Sequence, residues 1–156
     1  MTLENTLRKK LTEPPPENGG PVVISHQGWN VSLRPDSSDA IGTSLRELSV
    51  EREGAAPAGD VRAWGERISR KVTGLLEPLA VHEVDTPRQV AILRSATPTP
   101  QDPGLHYTEV ELHGTAKATV RRFRGFQDVG HPREPIPFTL THEGLGKMIG
   151  DLTADK

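Results

Sequence analysis

No cysteine occurs among the 156 residues. That alone excludes disulfide scaffolds, thiol nucleophiles and thiolate zinc sites. Aromatic residues make up 4% of the chain and apolar residues 33%. The core must therefore be small and mostly aliphatic, with loops taking much of the length. Apolar runs never exceed a few positions, so no segment spans a bilayer as a helix. Acidic residues outnumber basic ones only by 21 to 19. A net charge of −2 and a pI near 6.3 give no whole-molecule attraction to nucleic acid or anionic lipid. The opening residues, Met1-Thr2-Leu3-Glu4-Asn5, lack the apolar run of a signal peptide. The expectation is a soluble cytoplasmic protein.

Chemical motifs are missing as well. No serine sits in a Gly-x-Ser-x-Gly elbow, and no His-x-x-x-His pair marks a helical metal site. Carboxylates are scattered rather than paired. Glu109, Glu111 and His113 share strand parity, but Lys117 and Arg121 lie close, so a salt-bridge ladder is expected there instead of a metal site. The basic run Arg121-Arg122-Phe123-Arg124 suggests phosphate or RNA, with Phe123 stacking on a base. Strand alternation divides those arginines between two faces, so a charged edge strand is expected and nucleic acid is not. After an expected strand over Ile136–Leu140, Gly144, Gly146 and Gly150 open the last helix one residue off the dinucleotide fingerprint. That fingerprint needs a further strand, and the chain ends at Lys156. Gly146 and Gly150, one turn apart, can instead form a close-contact face. No cofactor is expected.

What is present is architecture. Between Asp60 and Leu79, apolar residues fall at Val61, Trp64, Ile68, Val72, Leu75, Leu76 and Leu79. This spacing predicts one amphipathic helix over 60–78, capped by Asp60 and stopped by Pro78. Residues 2–12 predict a short helix capped by Thr2, with Leu3, Leu7 and Leu11 on one stripe and prolines at 14–16 ending it. Thr141 caps a third helix carrying Leu145, Met148, Ile149 and Leu152. Fourteen prolines and fifteen glycines punctuate the rest. Strands are expected within 22–34, with Gly28 at a turn or bulge, over 43–52, and at 79–85, 89–96, 106–113 and 116–124. Segments 97–104 and 125–137 read as proline-bearing loops. For the last hairpin, pairing Glu111 with Lys117 and Val110 with Ala118 gathers polar side chains on one face and apolar ones on the other.

The fold class is α+β: a single antiparallel sheet of about 6–7 strands covered by the central helix, with short terminal helices, in the order α-βββ-α-ββββ-α. One domain, 1–156, accounts for the length, with residues 1–20 a helix and proline-rich linker able to detach. This order is similar to that of small secretion-chaperone-like domains, although four strands after the middle helix exceed that family's usual number. The resemblance implies holding client segments against a sheet, and dimerisation.

Two functions are carried forward. One is a non-enzymatic protein–protein interaction or chaperone-like module whose partner is another protein or a second copy, with Leu3, Leu7, Leu11 and a partly exposed Trp29 as interaction surface. The other is a small-molecule-binding or enzymatic domain with a cleft between sheet and helices, lined by Asp128, His131 and Arg133.

Overall fold

A computed structural model describes residues 2–14 and 20–154. Residues 15–19 of the proline-rich linker lie outside the described residues. Among the described residues the order is α1 (Leu3–Thr12), β1 (Val22–His26), β2 (Trp29–Ser38), β3 (Gly42–Arg52), α2 (Val61–Lys71), β4 (Leu79–Asp85), β5 (Val90–Ser95), β6 (Thr99–Gln101), β7 (Gly104–His113), β8 (Lys117–Gly125), β9 (Glu134–Ile136), β10 (Phe138–Thr141) and α3 (His142–Thr153). The class is α+β, and every strand pairing is antiparallel. The main path runs β1-β2-β3-β8-β7-β5-β4, with β10 paired to β3, β6 to β7 and β9 to β8.

Ten strands exceed the expected count: β6 and β9 form inside the segments 97–104 and 125–137 that read as loops, and β10 falls on the strand expected over 136–140. β9 and β10 are continuous through Pro137. They fill the wedge where the first half of β3 and the second half of β8 diverge, so each of those strands keeps a hydrogen-bonded neighbour along its length. This also makes β8 an interior strand, not the charged edge that its arginines suggested.

The helices occupy one side of the sheet. α2 lies on β4, β5 and β7, α3 lies on β3 and β10, and α1 rests on α3 and on β1 and β2. Side chains with the covered parity are aliphatic: Val31 and Leu33 on β2, Leu48 and Val50 on β3, Leu93 on β5, Val110 and Leu112 on β7. With Ile68, Val61 and Leu145 they form one buried cluster. All three helix caps read from the sequence are made. The hydroxyl of Thr2 accepts from the Asn5 N–H, the carboxylate of Asp60 from Arg62, and the hydroxyl of Thr141 from Gly144.

α2 ends at Lys71, well short of Pro78. β-branched Val72 and Thr73 followed by Gly74 are poor helix formers. Leu76 is exposed, and Leu79 opens β4 as a buried strand residue. Gly65 faces the sheet. A Cβ built there would lie 3.0 Å from Leu93 Cδ2 and 3.4 Å from Leu112 Cδ1, so the missing side chain allows α2 to sit close. On α3, Gly146 lies beneath α1, while nothing is within 4 Å of a Cβ at Gly150. The expected two-glycine contact face is thus a single position.

Two turns set the registers. Gln27 and Gly28, with φ of 48° and 85°, join His26 to its partner Trp29 in a two-residue turn of the kind that matches strand twist. In the β7–β8 hairpin, His113 pairs with Lys117, Glu111 with Thr119 and Val110 with Val120. The expected register is off by two residues. Its faces survive, because side-chain direction repeats every two residues. The connection through Gly114, at φ 54°, selects among registers that faces alone leave equivalent.

Candidate functional site

The face of the sheet opposite the helices is polar, and its side chains form two ladders. In the first, Glu47 on β3 accepts from Arg121 Nε on β8 at 2.9 Å and lies 3.9 Å from Arg34 on β2. Arg121 also lies 3.9 Å from Glu111 on β7, whose other oxygen is 2.8 Å from His113 Nε2. Lys117 pairs with Glu51 rather than Glu111. Among the described residues no three metal-ligating side chains gather.

The second ladder centres on Glu109, which is only 8% exposed although it points to the open face. Arg94 on β5 approaches from one side at 3.6 Å. From the other, Arg133 donates Nη1 to the Glu109 carboxylate and, at 3.4 Å, to the Tyr107 hydroxyl. The Arg133 guanidinium also lies 3.8 Å from the centroid of the Phe123 ring, which contacts Tyr107 at 5.9 Å. Parity puts Tyr107, Glu109 and Phe123 on one face, and the Tyr107–Phe123 pairing brings the rings together.

The loop 126–133 between β8 and β9 delivers Arg133. Of the three residues read as a ligand site, Arg133 alone reaches this cluster. His131 stacks on Phe126 at 3.7 Å, lies 3.7 Å from Glu134, and donates its backbone N–H to the Asp128 carbonyl. His131 and Asp128 therefore shape the loop and stay exposed. Glu109, Tyr107 and Arg94 were not singled out as partners of Arg133 because strand parity cannot show where a loop will land.

The residues read as interaction surface lie elsewhere. Leu7 and Leu11 are buried, Leu3 packs against the same cluster, and Trp29 is 2% exposed. Trp29 shares parity with Val31 and Leu33, so it turns to the covered side. There its ring meets Trp64 at 6.1 Å, with Arg52 4.2 Å from the ring centroid.

Beyond the end of α2, the covered side contains a buried ion pair. Glu77, in the connection to β4, accepts from both Arg122 terminal nitrogens at 2.9 Å, from Ser95 at 2.8 Å and from Thr99 at 2.6 Å. Arg122 also donates to Thr108 at 2.9 Å. Burial pushes the Glu77 carboxyl up. The hydrogen bonds from Arg122, Thr99 and Ser95, with the Arg122 charge, outweigh burial and hold it at about 2. Nearby, Arg124 donates to His106 Nε2 at 3.0 Å, and burial with the charges of Arg124 and Arg122 lowers the His106 pKa. This group fastens the 72–78 segment to β5 and β8.

A cavity of about 400 Å³ lies at the tip of the β2–β3 hairpin beside β10, lined by Ser37, Asp39, Thr43 and Thr141 among others. Asp39 is engaged there by the backbone N–H groups of Gly42 and Ile41, which lower its pKa. Among the described residues no helix is long and apolar enough to cross a membrane. No family model matches this chain, and no match was found among curated proteins or solved structures.

Proposed function

We propose that this chain is a protein-interaction module without chemistry of its own, and that it extends its sheet through β1. The observation that carries this reading is the contrast between the two edges. β4 has a register shift between Val81 and Glu83 and bears exposed Glu83 and Asp85. A bulge and charges are the usual protections of an edge. β1 has neither. Its residues pair with β2 without a shift, none is Lys, Arg, Asp, Glu or Pro, and Val23 is 54% exposed. Among the described residues β1 has a strand on one side only. An unbulged edge without Lys, Arg, Asp or Glu, rich in β-branched residues, is a template for an added strand.

The occupant we favour is a second copy. Antiparallel β1–β1′ pairing about a two-fold axis is self-complementary and brings no charged side chains together along the edge. The competing ligand-cleft reading gets less support: the space between sheet and helices is filled by Leu48, Ile68, Leu93 and Leu112.

Size-exclusion chromatography with light scattering tests this. Twice the chain mass of 17.0 kDa is expected for the native sequence, and the chain mass for Val23→Lys/Ser25→Lys, whose positions are exposed. A native protein that stays at one chain mass up to hundreds of micromolar, with no bound polypeptide, overturns the reading.

A further inference from the structure

We infer that the Glu109 carboxylate, the Tyr107 hydroxyl and the face of Phe123 form a guanidinium-binding site, that Arg133 occupies it in cis, and that an arginine side chain of a partner polypeptide competes for it. The inference rests on the reading of this protein as an interaction module; it adds the second contact surface and the chemistry recognised there.

The three receiving groups belong to β7 and β8, interior strands held on both sides. They are positioned whether or not Arg133 is present. Arg133 comes from a loop containing Gly130, and its side chain is 42% exposed. The receptor is thus fixed by the sheet, and although Glu134 beside Arg133 is itself paired with Arg124, the occupant is a half-exposed side chain that can rotate away. The match is specific to a planar cation. A guanidinium can lie flat on a ring while its edge donates to a carboxylate and a hydroxyl in the same plane, whereas an ammonium is a point charge that satisfies one direction well. Glu109 also keeps bonding capacity for an incoming donor. Arg94, at 3.6 Å, offsets its charge without making a hydrogen bond, and Arg133 supplies the only one to the carboxylate among the described residues.

An occupant tethered by a short loop acts as an internal competitor. An external arginine sees a site whose apparent affinity is reduced by the fraction of time Arg133 is away. Rotation of the Arg133 side chain would then be the event that opens the surface.

Isothermal titration of full-length protein with N-acetyl-arginine methylamide tests this directly. Arg133→Ala is expected to bind the probe at least tenfold more tightly than the native protein. The lysine counterpart should bind at least fivefold more weakly than the arginine probe. Adding Glu109→Gln should abolish the gain. Arg133→Gln, which keeps more of the side chain's packing, provides the same readout if the alanine variant loses its fold. Equal binding by native and variant proteins, no difference between arginine and lysine, or a gain that survives Glu109→Gln overturns the inference. The titration does not depend on β1. A monomeric protein with a working arginine site, or a dimer without one, separates this inference from the functional reading above.

Discussion

Consider replacing Glu77 with Gln. The change keeps the side chain's shape and removes its charge. It leaves the Arg122 guanidinium with its charge uncompensated at a position only 6% exposed. The magnitude follows from the carboxyl's own titration. Glu77 is lowered from 4.5 to about 2 in the folded state. That is a gap of about 2.5 pH units at about 1.4 kcal/mol each, or roughly 3–4 kcal/mol. Because the folded value is the depressed one, this stability is present in full above about pH 4.5 and is lost as pH falls through about 2. Removing one partner of a buried pair typically costs about 3–5 kcal/mol, so two independent routes agree. A chain of this size should lose roughly 2–4 °C in Tm per kcal/mol.

The assay is urea unfolding, followed by fluorescence of the buried Trp29 and Trp64, of native protein and Glu77→Gln across pH 7 to 2. The stability gap between them should be about 3 kcal/mol at pH 7, less than half of that at pH 3, and close to nothing at pH 2. Because other carboxylates are common to both proteins, the difference isolates Glu77. A gap below about 1 kcal/mol at pH 7, or one that does not shrink on acidification, would refute the reasoning. The double variant Glu77→Leu/Arg122→Met should lose less than Glu77→Gln alone, since it leaves no buried charge unpaired.

Other perturbations test the fold. Gln27→Asn puts Asn-Gly into the β1–β2 turn, where φ is already 48° and 85°, and should raise stability by roughly 0.5 kcal/mol, while Gly28→Ala should lower it by about 1 kcal/mol, both read by thermal unfolding. His142 is wholly buried on α3, and neither ring nitrogen has a hydrogen-bond partner among the described residues. His142→Leu should therefore leave Tm unchanged or higher, and a loss above about 1 kcal/mol would reveal a partner for the ring. Gly65→Leu must push α2 off Leu93 and should cost about 1–3 kcal/mol or more in urea, whereas a neutral result would mean that α2 does not lie against the sheet as described.

Much of the covered core was legible because it depends on local period. The stripe Leu145, Met148, Ile149 and Leu152, the caps Thr2, Asp60 and Thr141, and the division of 106–124 into apolar and polar sides follow from spacing and side-chain chemistry. The end of α2 was not, because Leu75, Leu76 and Leu79 continue the helical spacing by coincidence. Val72 to Gly74 are weak helix formers, and Glu77, 45 residues from Arg122, draws the segment into a loop. Trp29 was misplaced because proximity to a turn outweighed its parity with Val31. Of the candidate ligand residues, Arg133 alone joined a cluster, and its partners lie 24 and 26 residues away on β7.

By itself, then, the sequence determined the three helices and the longer strands, which way their side chains divide and where helices start, since each depends on residues within a turn or two. Tertiary structure alone decided which strands are edges, which ions pair and what the loop 126–133 touches. Those contacts bring together residues far apart in the chain, and residue chemistry does not specify a partner until closure of the sheet leaves only one within reach.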